Sequence, residues 1–119
     1  MTLLLLLPLL MFHVAEPVPA PTLERWLDET RRLESADGHK LFGDKRHGVY
    51  HSLGPYHIQC RPWYAFGGPA PWRIHAHHEQ DARAVAARIL RACARKCVRE
   101  HRPVTFINVR HVYRAGGFR

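Results

Sequence analysis

The amino-acid sequence predicts a mainly α-helical fold, α+β at most, formed by one domain. Three segments have the periodicity of amphipathic helices, and a long segment rich in glycine and proline separates the first from the second. A length of 119 residues suits one domain rather than two. With 46% hydrophobic and 24% charged residues, the composition is globular and excludes a largely disordered chain.

The first helix is predicted from Thr22 to about Leu33, with Thr22 as its N-cap. The helical spacing continues one residue further and places Glu34 on the apolar side of the helix C-terminus. Asp28, Arg31 and Arg32 are expected on the opposite side. The apolar stripe is formed by Leu23, Trp26, Leu27, Thr30 and Leu33.

The second helix is predicted over Asp81–Glu100 and the third over Val104–Arg114, with Thr105 as a cap and glycines after its end. The apolar face of the second helix contains Ala82, Val85, Ala86, Ile89, Leu90, Cys93, Cys97 and Val98. Residues 35–71 are expected to be largely irregular, and periodicity leaves open whether residues 51–59 start a short helix or close a hairpin. Long segments of this kind often carry function.

The N-terminus has the character of an export signal. Leu3–Val14 is apolar, has the length of a signal-peptide core and is too short to span a bilayer. The proline-rich stretch from Glu16 to Thr22 is typical of an extended linker. We therefore expect a signal peptide and linker over residues 1–20, a domain over residues 21–119, a secreted or periplasmic location and no stable membrane span.

The charge of the chain favours a polyanionic partner. Eighteen Lys and Arg against ten Asp and Glu give a net charge of +8. Nucleic acid, anionic lipid and an acidic cell-wall polymer all fit this charge. One face of the second helix could follow a phosphate backbone, although a solvated helix face explains the same residues: Arg83, Arg88, Arg91, Arg95 and Arg99.

Glu34 is the candidate for acid–base chemistry. On the apolar stripe its carboxyl group is desolvated, and at the helix C-terminus it meets the negative end of the helix dipole. Both effects favour the protonated form, which a general acid needs. Fraying of the helix end, with Glu34 turned to solvent, is the simpler alternative.

The residues around Glu34 resemble those of a known superfamily. A helix that ends in Glu34-Ser35 is followed by "SLGPYHI" over residues 52–58, and "VYRAGG" follows over residues 112–117. This arrangement is similar to the lysozyme superfamily, in particular to invertebrate-type lysozymes and to bacterial or phage lysozyme-like and lytic transglycosylase domains.

The resemblance implies a lysozyme-like domain over residues 21–119 that cleaves β-1,4 bonds between the amino sugars of peptidoglycan. Glu34 would protonate the glycosidic oxygen, and Tyr56 would contact or desolvate it. Asp44 is the favoured second carboxylate, as nucleophile or stabiliser, ahead of Asp37. Without such a partner, the single-acid transglycosylase route remains. The residues expected to bind substrate are Ser52, Gly54, Tyr56, His57 and Tyr113.

The chain departs from the family pattern at His57, where the usual segment has Gln. We expect that this chain uses no cofactor, binds no metal, needs no nucleic-acid partner and is a monomer. An inactive lysozyme-like fold that binds nucleic acid or cell wall is the alternative function.

The remaining metal-binding and thiol residues favour structural roles. We expect the "HAHHE" motif to provide polar loop histidines, or at most an adventitious Zn²⁺ or Ni²⁺ site formed by His75, His77 and His78. Cys60 could pair with Cys93 or Cys97 in an exported protein. Buried thiols on a helix face are the favoured interpretation of Cys93 and Cys97.

Overall fold

The structure, a computed structural model, describes residues 16–116. The fold is mainly α, with two small antiparallel sheets of two strands each, which confirms the predicted fold class. The apolar run Leu3–Val14 lies outside the described residues. Within residues 16–116, no helix combines the length and apolar character that a membrane crossing requires. The elements are α1 (Ala20–Ser35), β1 (Lys45–Arg46), β2 (Val49–Tyr50), β3 (Ser52–Leu53), β4 (Ile58–Gln59), α2 (Cys60–Ala65), α3 (Trp72–His75), α4 (Glu79–Arg99) and α5 (Phe106–Ala115).

Helix α1 begins earlier than the sequence predicts. Pro19 is its N-cap residue, and Thr22 already lies within the helix, so the prediction of Thr22 as the cap was wrong. The reason is that proline is tolerated in the first turn, where a backbone N–H has no helical partner to lose. The helix ends where Ala36 adopts a left-handed conformation with φ 50° and donates its N–H to the carbonyl of Arg32.

The core forms where α4 packs against α1 and α5. Leu27, Thr30, Ile89 and Val109 are all at most 1% exposed, and α4 supplies nine buried residues, more than any other helix. Two predicted core residues were assigned wrongly. Leu33 is 40% exposed because it borders a cleft beside α1, and Val98 is 51% exposed in the last turn of α4.

The two sheets are hairpins that follow α1. In the first, Lys45 pairs with Tyr50 across a turn formed by His47 and Gly48, both with positive φ. In the second, Ser52 pairs with Gln59 across the "GPYH" turn. The choice left open for residues 51–59 is therefore resolved as a hairpin.

A short helix, α2, interrupts the segment that the sequence predicts to be irregular, and α3 follows directly after that segment. Trp63 in α2 is fully buried and donates its indole N–H to the carbonyl of Pro69 at 2.8 Å, which ties the loop after α2 to that helix. Trp72 in α3 donates its indole N–H to the carbonyl of Ile58 at 3.0 Å and so attaches α3 to the second hairpin. The segment therefore forms a wall of the fold rather than a loose loop.

Candidate active site

A cleft of about 520 Å³ lies between the end of α1, the residues just before the first hairpin, the second hairpin and the end of α5. It contains five of the residues that the sequence singles out as site candidates. They are Glu34, Asp44, Ser52, His57 and Tyr113. Residues from four separate parts of the chain therefore meet at one concave surface, as ligand sites usually require.

Glu34 lies in this cleft as a nearly buried carboxylate. Its side chain is 10% exposed, so it does not turn out to solvent. Oε1 lies 3.3 Å from Nη1 of Arg110 and 3.9 Å from Nη1 of Arg114. Neither contact has hydrogen-bond geometry, so Oε1 is buried without a hydrogen-bond partner, as is Nη1 of Arg110. A buried acceptor without a partner is costly, which makes this atom available to a proton or a ligand donor.

Ser35 holds the end of α1 in place. Its hydroxyl donates to the carbonyl of Arg31 and accepts the backbone N–H of Gly38, both at 2.9 Å. These bonds satisfy groups that a helix C-terminus otherwise leaves unpaired. The position of Glu34 is thus fixed by its neighbour in the sequence.

His57 contacts Glu34 from the second hairpin. Its Nδ1 lies 3.6 Å from Oε2 of Glu34, and its Nε2 lies 2.6 Å from the carbonyl oxygen of Lys40. Burial lowers the pKa of His57, but the Glu34 carboxylate and the Lys40 carbonyl together outweigh burial and raise the pKa above its ordinary value. The backbone of His57 has φ 47°, and this conformation directs the ring toward the cleft.

The contacts of His57 define where its protons lie. A carbonyl oxygen only accepts, so Nε2 of His57 donates to Lys40. Nδ1 then faces Oε2 of Glu34 at 3.6 Å, slightly beyond hydrogen-bond distance. When the ring is charged, Nδ1 carries a proton and the contact is an ion pair. We call these two residues the Glu34–His57 pair.

Asp44 lines the same cleft, just before the first hairpin. Its backbone carbonyl accepts the N–H of His51 at 2.7 Å, which fixes the chain at this point. Asp37, the alternative second carboxylate, lies 3.5 Å from Nη1 of Arg31 and does not line the cleft. The structure therefore brings Asp44, and not Asp37, to the cleft that holds Glu34.

Two of the predicted substrate-binding residues support the cleft from behind. The hydroxyl of Tyr56 accepts a hydrogen bond from Arg83 at 2.9 Å, and Tyr56 is not among the residues that line the cleft. Gly54 does not line the cleft either and packs against the carbonyl of Ala76. Tyr113 connects the two layers, because it lines the cleft and donates its hydroxyl to the carbonyl of Tyr56 at 2.7 Å.

Arg110 and Arg114 are the site residues that sequence reasoning missed. Both lie on α5 and both approach Oε1 of Glu34. Arg114 is part of the quoted "VYRAGG" segment, and its spacing from Arg110 places the two guanidinium groups on one helix face. The four-residue spacing of these arginines was the feature of the sequence from which they could have been predicted as site residues.

The cysteines form no disulfide. Cys60 is exposed, Cys93 and Cys97 are buried, and all three are free thiols. The pairing considered for Cys60 is therefore absent, and the interpretation of Cys93 and Cys97 as buried helix residues is confirmed. Burial raises the pKa of Cys93 to about 12.

Comparisons of the chain with protein-family models, curated proteins and solved structures found no match.

Proposed function

We propose that this protein is a glycosidase that cleaves β-1,4 bonds between the amino sugars of peptidoglycan, as a lysozyme or a lytic transglycosylase. Glu34 is the general acid, and Asp44 is the nucleophile or charge stabiliser. The observation that carries the proposal is the nearly buried Glu34 carboxyl, in one cleft with a second carboxylate and with one oxygen that lacks a hydrogen bond. Two carboxyl groups on either side of a scissile bond are the usual equipment for glycoside cleavage.

His57 supplies the proton in this mechanism. Glu34 must be protonated when the glycosidic oxygen leaves, and Nδ1 of His57, which carries a proton when the ring is charged, lies 3.6 Å from Oε2 of Glu34. Transfer of that proton from Nδ1 of His57 to Glu34 leaves a neutral imidazole, which Nε2 keeps oriented through Lys40. After cleavage, the same pair can take a proton back from an attacking water or hydroxyl group.

Two arginines of α5 lie beside Oε1 of Glu34, Arg110 at 3.3 Å and Arg114 at 3.9 Å. Arg114 is 59% exposed and Arg110 is 21% exposed, so Arg114 is the one that can turn away when a sugar chain enters. The space that it leaves gives the glycosidic oxygen access to Glu34.

The charge of the surface fits an anionic cell-wall polymer. A net charge of +8 attracts polyanions, and an exposed Arg114 at the rim of the cleft can contact acidic groups of the substrate. This electrostatic attraction also predicts that activity falls as the salt concentration rises.

Nucleic-acid binding is less well supported, because several arginines of α4 are used within the protein. Arg83 forms ion pairs with Glu24 and Asp28. Arg88 donates to the carbonyl of Phe66 at 2.8 Å, and Arg95 lies 3.5 Å from Glu16. Fewer arginines of α4 are therefore available to contact the phosphates of a nucleic acid.

A protein that binds the cell wall without cleaving it is the second candidate. The contact of Glu34 with Arg110 favours this alternative, since an ion-paired carboxylate is a poor acid. Release of soluble sugar fragments from purified peptidoglycan separates the two functions. A catalyst releases fragments in proportion to time, whereas a binder sediments with the wall and releases none.

The proposal is tested by mass spectrometry of those fragments for the wild type and Glu34→Gln. Reducing ends that carry one added water identify a hydrolase, and anhydro sugar ends identify a transglycosylase. Equal release by both proteins would exclude Glu34 as the acid. If neither protein releases fragments but both still bind the cell wall, the protein is a cell-wall-binding protein and not an enzyme.

A further inference from the structure

Three polar side chains converge at the junction of α3 and α4, apart from the cleft. His75 ends α3, His78 is the N-cap residue of α4, and Asp81 lies in the first turn of α4. Nδ1 of His75 lies 3.2 Å from Oδ2 of Asp81, and Nδ1 of His78 lies 3.5 Å from the same oxygen. Two imidazole nitrogens therefore lie close to one carboxylate oxygen. The three residues each offer one ligand atom within 4.8 Å of the others.

These distances match the edges of a tetrahedral zinc site. Zn–N and Zn–O bonds of about 2.0–2.2 Å at tetrahedral angles place neighbouring ligand atoms roughly 3.3–3.6 Å apart. An octahedral ion with ligands at about 2.1 Å requires shorter edges, roughly 3.0 Å. The two measured edges fit the tetrahedral arrangement better, and imidazole with carboxylate is a ligand set that zinc accepts.

We propose that His75, His78 and Asp81 bind one Zn²⁺ ion, with solvent in the fourth position. Their side chains are 29%, 54% and 39% exposed, so an ion reaches them from solvent. Asp81 is essential to this site because the first turn of α4 carries a partial positive charge, and a cation there needs a compensating carboxylate. Glu79, the other acidic residue of this turn, is paired with Arg31 at 2.7 Å.

The site differs from the adventitious group of His75, His77 and His78 that the sequence suggests. The ring of His77 faces Phe42, with their centroids 5.3 Å apart, and His77 is not part of the cluster. In the proposed ligand set, Asp81 therefore takes the place of His77. It also provides an internal control, since His77 lies in the same motif and the same turn.

The ion would stabilise the turn that supports the second hairpin. Ala76 lies between the two histidine ligands, and a Cβ atom added at Gly54 would lie 1.7 Å from its carbonyl oxygen. The backbones of the two turns are thus in direct contact. Zn²⁺ that fixes this junction is expected to slow amide hydrogen exchange in the hairpin over residues 52–59 and to raise the melting temperature.

The experiment titrates metal-free full-length protein with Zn²⁺ by calorimetry, and with Co²⁺ by absorption spectroscopy. We expect one ion per chain and a Co²⁺ spectrum typical of tetrahedral coordination. Asp81→Asn and His75→Gln should each weaken Zn²⁺ binding by more than about tenfold. Loss of a residue that only hydrogen-bonds to a metal ligand already weakens binding about tenfold, and loss of a ligand should weaken it further. His77→Gln should leave the affinity unchanged.

Several results would overturn the proposal. They are the absence of Zn²⁺ binding by the wild type, equal weakening by His77→Gln and His75→Gln, and unchanged binding by Asp81→Asn. Circular dichroism of each metal-free variant shows whether it is folded, and a misfolded Asp81→Asn is replaced by Asp81→Ser. These measurements do not use peptidoglycan, so they stand or fail independently of the glycosidase proposal.

Discussion

Nδ1 of His57 lies 3.6 Å from Oε2 of Glu34, while Nε2 of the same ring is committed to the carbonyl of Lys40. The histidine therefore faces the carboxyl group with one defined nitrogen. Because Nε2 donates to the Lys40 carbonyl, a further proton on the ring is on Nδ1, the atom nearest Glu34.

The first prediction concerns the acid. Glu34→Gln should lower the rate of peptidoglycan cleavage by about 10²–10⁴-fold, the usual contribution of a positioned general acid. The measurement is release of soluble fragments at saturating substrate. Glu29→Gln is the matched control, because Glu29 lies on the same helix, is exposed and pairs only with Arg32 among the contacts described for its carboxylate oxygens. An equal loss of rate in both variants would point to altered folding or charge instead.

The second prediction concerns the other carboxylate. Asp44→Asn should lower the rate by roughly 10²-fold or more if Asp44 assists the reaction, because a positioned carboxylate makes contributions of this order. Asp37→Asn should retain nearly full activity, since Asp37 is half-exposed and faces Arg31. If Asp44→Asn remains active and yields anhydro sugar ends, the substrate's own hydroxyl takes the place of the second carboxylate, and Asp44 has no direct role.

The third prediction concerns pH. The pKa of His57 is raised in the folded protein, against burial, by Glu34 and by the Lys40 carbonyl. A raised pKa of a base adds stability that is fully present below the unfolded-state pKa, about 6.5, and is lost as the pH rises through the folded-state value. The difference in unfolding free energy between the wild type and His57→Gln should therefore be constant below about pH 6 and shrink above pH 7.

Urea unfolding at a series of pH values measures this difference. Below about pH 6 we expect a loss on the order of 1 kcal/mol for His57→Gln, as for one charged contact. His39→Gln, which changes a histidine outside the cleft, is measured beside it as the control. A constant difference for His57→Gln between pH 5 and 8.5 would show that the Glu34–His57 contact does not form.

The fourth prediction concerns the backbone contact behind the hairpin. Gly48 and Gly54 both have positive φ, at 79° and 82°, so alanine at either position costs about 1–2 kcal/mol of backbone strain. Only Gly54 is also crowded, because Ala76 occupies the space of a Cβ atom, whereas nothing lies within 4 Å at Gly48. Gly54→Ala should therefore destabilise the protein by about 3 kcal/mol more than Gly48→Ala. Equal melting temperatures of the two variants would contradict this packing.

The sequence predicts the long helices well, because their apolar residues recur at helical spacing over several turns. It also places Thr105 correctly as a cap, whose side chain accepts the N–H of Asn108. It fails at α2 and α3, which are too short for periodicity to detect. The position of α3 also depends on the indole hydrogen bond from Trp72 to the carbonyl of Ile58, and no local pattern encodes such a tertiary contact.

The candidate site is predictable to a similar degree. Glu34 is found from its position on the apolar stripe, and Ser52, His57 and Tyr113 are found from the resemblance. The direction in which the Tyr56 side chain points cannot be predicted from the sequence. It depends on a hydrogen bond from Arg83, which lies on α4, far along the chain. The convergence of His75, His78 and Asp81 is hidden for a related reason, since the turn between α3 and α4 decides which histidines of the motif face one another.

The three free thiols differ in their access to an oxidant. Cys93 and Cys97 are fully buried in α4, and a pKa of about 12 keeps Cys93 in its unreactive form at neutral pH. Cys60 is exposed, so an oxidant in the surroundings reaches Cys60 while the two thiols of the core are shielded from it.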